Sequence, residues 1–313
     1  MITLKEAAKL ILSKDKIEIL SHRSPDGDTL GCSCGLAVAL QSIGKNVKIS
    51  VSGGIPKKFE YLYDFVKKQD FESEFIISVD IAAPSLLGDL QSEYENRIDL
   101  CIDHHSSNSI ECESKLVDST AAAACEIVYD IIKLMNVEIT DEIATCIYTG
   151  ISTDTGCFRF SNTTPKTHRI AAEVMQFNCG WFDINQKMFE IKTRSKVRLE
   201  RMVYDTMEFF AQGKCAVIYT TLKMQEELKL DDDELEGLAS IPRQIEGVLL
   251  GITMKEKSDG TVRVSVRTNG DVDAAKFCGN FGGGGHKAAA GCSISADLQT
   301  AKQMLVKAAE EFL

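Results

Sequence analysis

The sequence predicts an α/β chain in which an N-terminal parallel-sheet domain is joined by a helical connector to a smaller α+β domain. Three observations predict it. In the first half, short apolar runs alternate with helical patterns, the order that builds a parallel sheet. A stretch without Pro or Gly, from about Asp183 to Phe210, then keeps a helical pattern and carries five basic residues between Lys192 and Arg201. Beyond Gly213 the texture changes to closely spaced strands joined by a hairpin turn. The implied boundaries are 1–190, a connector over 191–212, and 213–313.

The elements follow in order. Ile17 to Leu20 reads as a strand, and a Pro/Gly/Asp turn leads from it into a helix over Leu30 to Ile43. Val47 to Val51, Glu74 to Asp80 and Ile98 to Asp103 are further apolar runs of strand length. Helices are expected around 121–135, from an N-cap at Thr140 to about Ile151, and around 165–177. In the second part, Cys215 to Thr221, Gly247 to Lys255 and Thr261 to Arg267 read as strands, the last two joined by the turn Ser258-Asp259-Gly260. A helix around 271–280, the glycines 282–285, a short strand near 292–294 and a helix from Asp297 complete the chain. The acidic run Asp231 to Glu236 reads as a solvated helix start, and His168 as a helix-surface residue.

Composition narrows the classes. With 44% hydrophobic and 26% charged residues among 313, wholesale disorder is excluded. No apolar run approaches the ~20 residues of a membrane span. Lys5, Glu6 and Lys9 interrupt any leader-type apolar core. Eleven cysteines without a regular framework read as reduced thiols of a cytoplasmic protein, and the Cys32/Cys34 pair lacks the second pair a structural zinc site needs. Residues 1–190 hold 18 Lys+Arg and 28 Asp+Glu, whereas 191–313 hold 17 and 18. So acidic a first half argues against a long nucleic-acid groove and permits a cation site there, with an anion-binding patch in the second.

Four clusters carry the chemistry, three of them where a strand ends. Ser21-His22-Arg23-Ser24-Pro25-Asp26-Gly27-Asp28 follows the first strand, Asp80 closes the third, and Asp103-His104-His105 closes the fourth. Thr153-Asp154-Thr155-Gly156 follows a helix. Taken alone, each Asp is ordinary turn or N-cap chemistry and each His a satisfied loop residue. Together they are not, because three of the chain's five histidines fall in these clusters and the carboxyl ends of parallel strands are where ligands bind. Imidazoles and carboxylates without thiolates suit Mn²⁺, Fe²⁺, Zn²⁺ or Mg²⁺. So many side chains exceed what one catalytic ion takes, and two ions sharing a bridging carboxylate would use them, as in phosphoester hydrolases.

These motifs closely resemble those of the DHH phosphoesterase superfamily: Ser-His-x-x-Pro-Asp-Gly-Asp, the strand-end Asp, Asp-His-His and Gly-x-x-Thr-Asp-Thr-Gly. The segment Gly282 to Gly291, with Gly283, Gly284, Gly285 and His286, resembles the glycine-rich signature of the DHH-associated C-terminal domain. Four motifs in order plus that signature are specific, and the resemblance covers nearly the whole chain. By size and domain order it is most like the bifunctional nanoRNase (oligoribonuclease) and pAp phosphatase subgroup, of which the stretch Ser152 to Pro165 is typical. Thr29 stands where the family commonly has Ala.

The resemblance implies a Rossmann-like catalytic domain with two divalent ions, usually Mn²⁺. His22 and Asp26 would hold one ion, Asp28, His104 and Asp154 the other, and Asp80 would bridge. Asp103 would orient an imidazole, and His105 would face the scissile phosphate as donor or acid. Hydrolysis of short RNA oligonucleotides to nucleoside monophosphates, and of a 3′,5′-bisphosphate mononucleotide (pAp), would follow. An anionic phosphodiester repels hydroxide, so catalysis needs positive charge at phosphorus and a nucleophile made at neutral pH, and two divalent ions supply both.

The second domain would supply grip. Arg263, Ser265 and Arg267 alternate on one strand face, where Arg267 offers a phosphate a bidentate fork and Ser265 a smaller donor. Arg263 reads as a solvated residue. The glycines let backbone N–H groups approach an anion, or serve as a hinge, and His286 adds a donor. Competing readings are a phosphodiesterase for cyclic di-AMP or linear dinucleotides using the same site, and a non-catalytic nucleotide-binding module, which would have lost metal ligands. The sequence leaves the oligomeric state open, a homodimer included.

Overall fold

The computed structural model describes residues 1–229 and 237–313, and the chain divides after Ile191 into two compact units. The acidic run Asp231 to Glu236 therefore lies outside the described residues.

The first unit runs α1 (Leu4–Leu12), β1 (Ile17–Ser21), α2 (Gly27–Ser42), β2 (Val47–Val51), α3 (Glu60–Tyr63), β3 (Phe75–Val79) and α4 (Gln91–Tyr94). It continues with β4 (Leu100–Asp103), β5 (Ser114–Val117), α5 (Ala124–Leu134), α6 (Asp141–Asp154), α7 (Pro165–Val174) and α8 (Trp181–Asn185). Its five strands are all parallel, in the order β2-β1-β3-β4-β5. The chain places β2 on one side of β1 and β3 on the other, and this reversal opens a crevice at the carboxyl ends of β1 and β3.

Alternation along each strand divides the apolar residues between two cores. Ile17, Ile19, Phe75, Ile77, Leu100 and Ile102 face α1, α2, α5 and α6, while Leu20, Ile76 and Cys101 face a smaller core with Leu87, Tyr94, Ile98 and Ile110. Burying each such side chain contributes about 1.5–3 kcal/mol. Helix α2 is buried on most of its circumference because α5 and α6 both pack on it. Its crossing with α6 runs through glycines. A Cβ at Gly31 would stand 2.5 Å from the Cys146 carbonyl oxygen, and one at Gly150 would stand 2.2 Å from Cys125 Sγ.

The second unit comprises α9 (Arg194–Tyr204), β6 (Glu208–Phe210), β7 (Cys215–Thr220), α10 (Leu222–Leu228), β8 (Leu250–Glu256) and β9 (Val262–Thr268). Then come α11 (Ala274–Gly279), β10 (Gly284–His286), β11 (Ala289–Ile294) and α12 (Leu298–Phe312). The sheet order is β10-β11-β9-β8-β7-β6, mixed, with β7 and β8 the parallel pair. Val262, Val264 and Val266 pack with α11 and α12 in one core, and Ile218 packs with Leu199 and Val203 of α9 in another.

The α/β plus α+β architecture is as expected, with local differences. The stretch from Asp183 to Phe210 is not one helical run. Helix α8 passes into a wide π-type turn over Gln186–Glu190, Ile191 is extended, and the Thr193 hydroxyl caps a new helix by accepting from the Lys196 N–H. Glu208–Phe210 becomes a strand because β7 offers it an antiparallel partner, a tertiary pairing that overrides the local pattern. The helix after Thr140 continues to Asp154 rather than ending near Ile151. Helix α1 and strand β5 were not foreseen. No described helix is long and apolar enough to cross a membrane.

Candidate active site

Asp26 caps α2: its Oδ1 accepts from the Asp28 and Thr29 N–H groups at 3.0 and 3.1 Å. That cap turns the chain leaving β1, so His22 on the loop and Asp26 and Asp28 at the helix start all lie at the sheet's carboxyl end. Asp28 is 1% exposed, held by the Ala124 and Cys125 N–H groups at 2.6 and 2.9 Å at the start of α5. Asp80 follows β3 with φ +56°, a left-handed conformation rare for a residue with a Cβ. Its N–H donates to the Ile102 carbonyl, which ties it to β4 and to the Asp103-His104-His105 turn.

The six expected ligands converge in two overlapping groups. His22 Nε2 stands 3.7 Å from Asp26 Oδ1 and 3.9 Å from Asp80 Oδ2. His104 Nε2 stands 3.9 Å from Asp28 Oδ2, 3.6 Å from Asp154 Oδ2 and 3.6 Å from Asp80 Oδ1. These separations are too long for hydrogen bonds. They match ligand atoms sharing one ion, which at about 2.1 Å from each ligand leaves them roughly 3–4 Å apart. Asp80 belongs to both sides, and its Oδ1 is buried without a hydrogen-bond partner.

Charge tells the same story. Burial pushes the Asp80 carboxyl well above its ordinary range, and neighbouring Asp28, Asp26, Asp154 and Asp103 push it further. Asp154 is raised to about 9 by burial and by Asp28 and Asp26. Asp28 is raised by burial, against the pull of His104. Asp26, despite desolvation, is lowered by His22 and the backbone donors of its cap. Crowded carboxylates with an orphaned oxygen and imidazoles at ligand spacing fit divalent cations, which would remove the repulsion. Cys32 and Cys125 also approach Asp28, with sulfurs 3.4 Å apart, but burial raises both thiols and keeps them neutral packing groups.

Asp103 and His105 form a unit beside these groups. Asp103 Oδ1 accepts from His105 Nδ1 at 2.8 Å and from the His104 N–H at 2.7 Å. Its Oδ2 accepts from Asn108 Nδ2 at 2.6 Å. Asp103 is fully buried, yet these bonds hold its carboxyl below the ordinary range. The Asp103 hydrogen bond raises the His105 pKa. With Nδ1 occupied, Nε2 is the nitrogen left to meet a substrate. Asn108, which also donates to the Ile81 carbonyl, was not anticipated, because no periodicity marks a loop Asn five residues after an Asp.

In the second unit, register assembles the other expected residues. His286 pairs with Ala289, and Ala289 with Arg267; Gly284 pairs with Gly291, and Gly291 with Ser265. Paired positions share a face, so His286, Arg267 and Ser265 project on one side with only small residues between them. Arg263 lies on that side and is exposed. Burial and the nearby Arg243 lower the Arg267 pKa, and Arg243 is a cation the sequence did not single out. Gly282–Gly285 is not a free loop, since Gly284–His286 is an edge strand. Gly283 is needed for close approach, as a Cβ there would meet the Gly291 carbonyl oxygen at 2.2 Å; Gly285, at φ +145°, would meet Ala289 and Ala290.

Comparison with known proteins fits this geometry. Residues 16–151 match the DHH family, N-terminal domain, and residues 214–313 match the DHHA1 domain. The bifunctional oligoribonuclease and PAP phosphatase NrnA of Thermus thermophilus is 33% identical over 95% of this chain and 90% of its own. The cyclic-di-AMP phosphodiesterase GdpP of Geobacillus thermodenitrificans is 24% identical, over 97% of this chain but 48% of its own length. The crystal structure of an exopolyphosphatase-related protein from Bacteroides fragilis superposes with a TM-score of 0.91 at 25% identity, covering 99% of this chain and 96% of that one. With both domains matched in order and a relative aligned almost end to end, the chain belongs to the DHH family of phosphoesterases and carries a C-terminal DHHA1 domain.

Proposed function

We propose that this protein is a Mn²⁺-dependent hydrolase that degrades short RNA oligonucleotides to nucleoside monophosphates and removes the 3′-phosphate of pAp. The observation that carries it is Asp80, a buried carboxylate with an orphaned oxygen shared between two imidazole–carboxylate groups. The names of the NrnA relatives, which describe the same pair of activities, support the substrate class. His22 and Asp26 would hold one ion, Asp28, His104 and Asp154 the other, with Asp80 common to both. Two such ions, when bound, supply a nucleophile at neutral pH and neutralise charge on the phosphoryl oxygens.

The chain's own residues do the rest. Asp103, fixed by Asn108, holds the His105 ring so that Nε2 can donate to a phosphoryl oxygen or protonate the leaving oxygen. The Asp103 hydrogen bond raises the His105 pKa and so favours the protonated ring. Arg267, Ser265 and His286 of the second unit are the proposed phosphate-holding residues, a row of donors on one sheet face. Gly283 and Gly285 keep the backbone of β10 close to β11, Gly284 pairs with Gly291, and His286 is thereby brought into that row.

The deciding experiment incubates pure protein and Mn²⁺ with pAp, a labelled RNA dimer, an RNA pentamer and cyclic di-AMP. Release of adenosine 5′-monophosphate from pAp and of mononucleotides from the dimer is expected, with no turnover after chelation. The similarity to GdpP favours a second reading, cyclic dinucleotide hydrolysis at the same site. Turnover of cyclic di-AMP far exceeding that of the dimer would make that reading the correct one.

A further inference from the structure

Behind Asp154 the chain takes an unusual path. Gly156, Cys157 and Phe158 all have positive φ, at 56, 58 and 62°. Residues with a Cβ adopt this conformation only where their surroundings impose it, and such turns cluster at functional sites. The surroundings here are specific. The Cys157 N–H donates to the Ser152 carbonyl at 2.7 Å, and the Arg159 and Phe160 N–H groups both donate to the Thr155 carbonyl at 3.0 Å. The Asn162 side chain clamps the loop's far end to the Asp154 and Ala122 carbonyls at 3.1 and 2.9 Å. The turn is thereby anchored to the backbone of an expected metal ligand.

Its two aromatic residues have different fates. Phe158 points into the unit, with rings of Tyr148 and His168 at 6.2 and 5.2 Å. Phe160 lies with ring atoms over Gly156, where a Cβ would come within 2.4–2.6 Å of Cζ, Cε1 and Cε2, yet the residue remains 43% exposed. An L-residue with a side chain at position 156 would displace the ring. The left-handed turn thus seats an aromatic surface, six residues from Asp154, on a loop hydrogen-bonded to the Asp154 carbonyl.

We propose that Phe160 is the stacking platform for the base of the nucleotide whose phosphate is hydrolysed. The inference rests on the phosphoesterase reading and deepens it to a nucleoside phosphoester. Every base has a π-face, so stacking grips a nucleotide without selecting its identity, which suits an enzyme that must clear short RNA of any sequence. A base and its own phosphate span a fixed, short distance. A ring clamped beside Asp154 therefore needs no further subsites along a strand.

The test compares KM and kcat for an RNA dinucleotide and for the same dinucleotide lacking one base, placed in turn at each end. Phe160→Leu keeps an apolar side chain over Gly156 and should raise KM roughly tenfold with kcat within about twofold, whereas Phe160→Tyr should behave as wild type. On wild-type enzyme, removing the stacked base should raise KM about as much, and Phe160→Leu should then add nothing. The base-removal arm needs no substitution, so a poorly folded variant does not obscure the answer. If wild-type protein turns over dinucleotides while Phe160→Leu leaves KM within about twofold, or if neither base removal matters, the platform is wrong. If wild-type protein hydrolyses no nucleotide phosphoester, the phosphoesterase reading itself fails.

Discussion

Asp103, buried and 2.8 Å from the His105 Nδ1, favours the protonated form of that ring. Linkage gives the sign of the effect: the carboxylate raises the His105 pKa, and removing the charge lets it fall. A reaction that uses protonated His105 loses rate as pH rises through that pKa. Asp103→Asn should therefore move the alkaline decline of kcat to lower pH and reduce its plateau, with bound metal unchanged. A decline that stays in place would remove His105 from the donor role. The convergence of His22, Asp26, Asp28, Asp80, His104 and Asp154 was legible because each lies at or just beyond the end of a strand or helix. Asn108, Arg243 and Phe160 were not, since loop geometry and sheet register, rather than local pattern, give them their neighbours.

Helix crossings set the spacing of the ligands. Asp28 opens α2 and Asp154 closes α6, and the two helices approach through Gly31 and Gly150. A Cβ at Gly150 would stand 2.2 Å from Cys125 Sγ and 2.9 Å from Asp28 Oδ1. Gly150→Ala should lower stability by about 1–3 kcal/mol, as overpacked cores do, and weaken metal binding with it. Adding Cys125→Ala should recover part of the loss, and thermal unfolding with metal analysis would measure both. The sheet of the second unit gives a complementary expectation. Arg267→Ala should raise KM for dinucleotides and pAp by about 1.5–3 kcal/mol while leaving metal content and turnover of bis-p-nitrophenyl phosphate nearly intact. Equal losses on both substrate types would mean that Arg267 shapes the catalytic centre. The strands β1, β3 and β4 were readable because they are buried on both faces and mostly apolar. Short β5 and β6 were not, because pairing with β4 and β7 makes them strands.

Across the whole molecule, the carboxylate cluster couples stability to pH and metal. A carboxyl whose folded pKa lies above its unfolded value binds more protons when folded, so the metal-free protein should lose stability as pH rises from about 4 towards the value near 9 reached by Asp154. Divalent ions should remove that slope, so the rise in Tm on adding Mn²⁺ should grow with pH. Calorimetry with and without chelator at several pH values would show it, and a pH-independent increment would argue against occupation of this cluster. The overall architecture was legible from alternation and motif order. The interruption at Ile191 was hidden, because a capped restart at Thr193 resembles helix in composition.

The two sides of the candidate centre differ in their access to water. The Asp26 side chain is 57% exposed, whereas Asp28 is 1% exposed behind the starts of α2 and α5. An ion on the Asp26 side would keep one ligand open to solvent, while one on the Asp28 side would keep one ligand shut away from it. Ions held by these groups would therefore exchange faster on the Asp26 side than on the Asp28 side. Free metal concentration would then act as a throttle on the outer position, over an inner ion retained between turnovers.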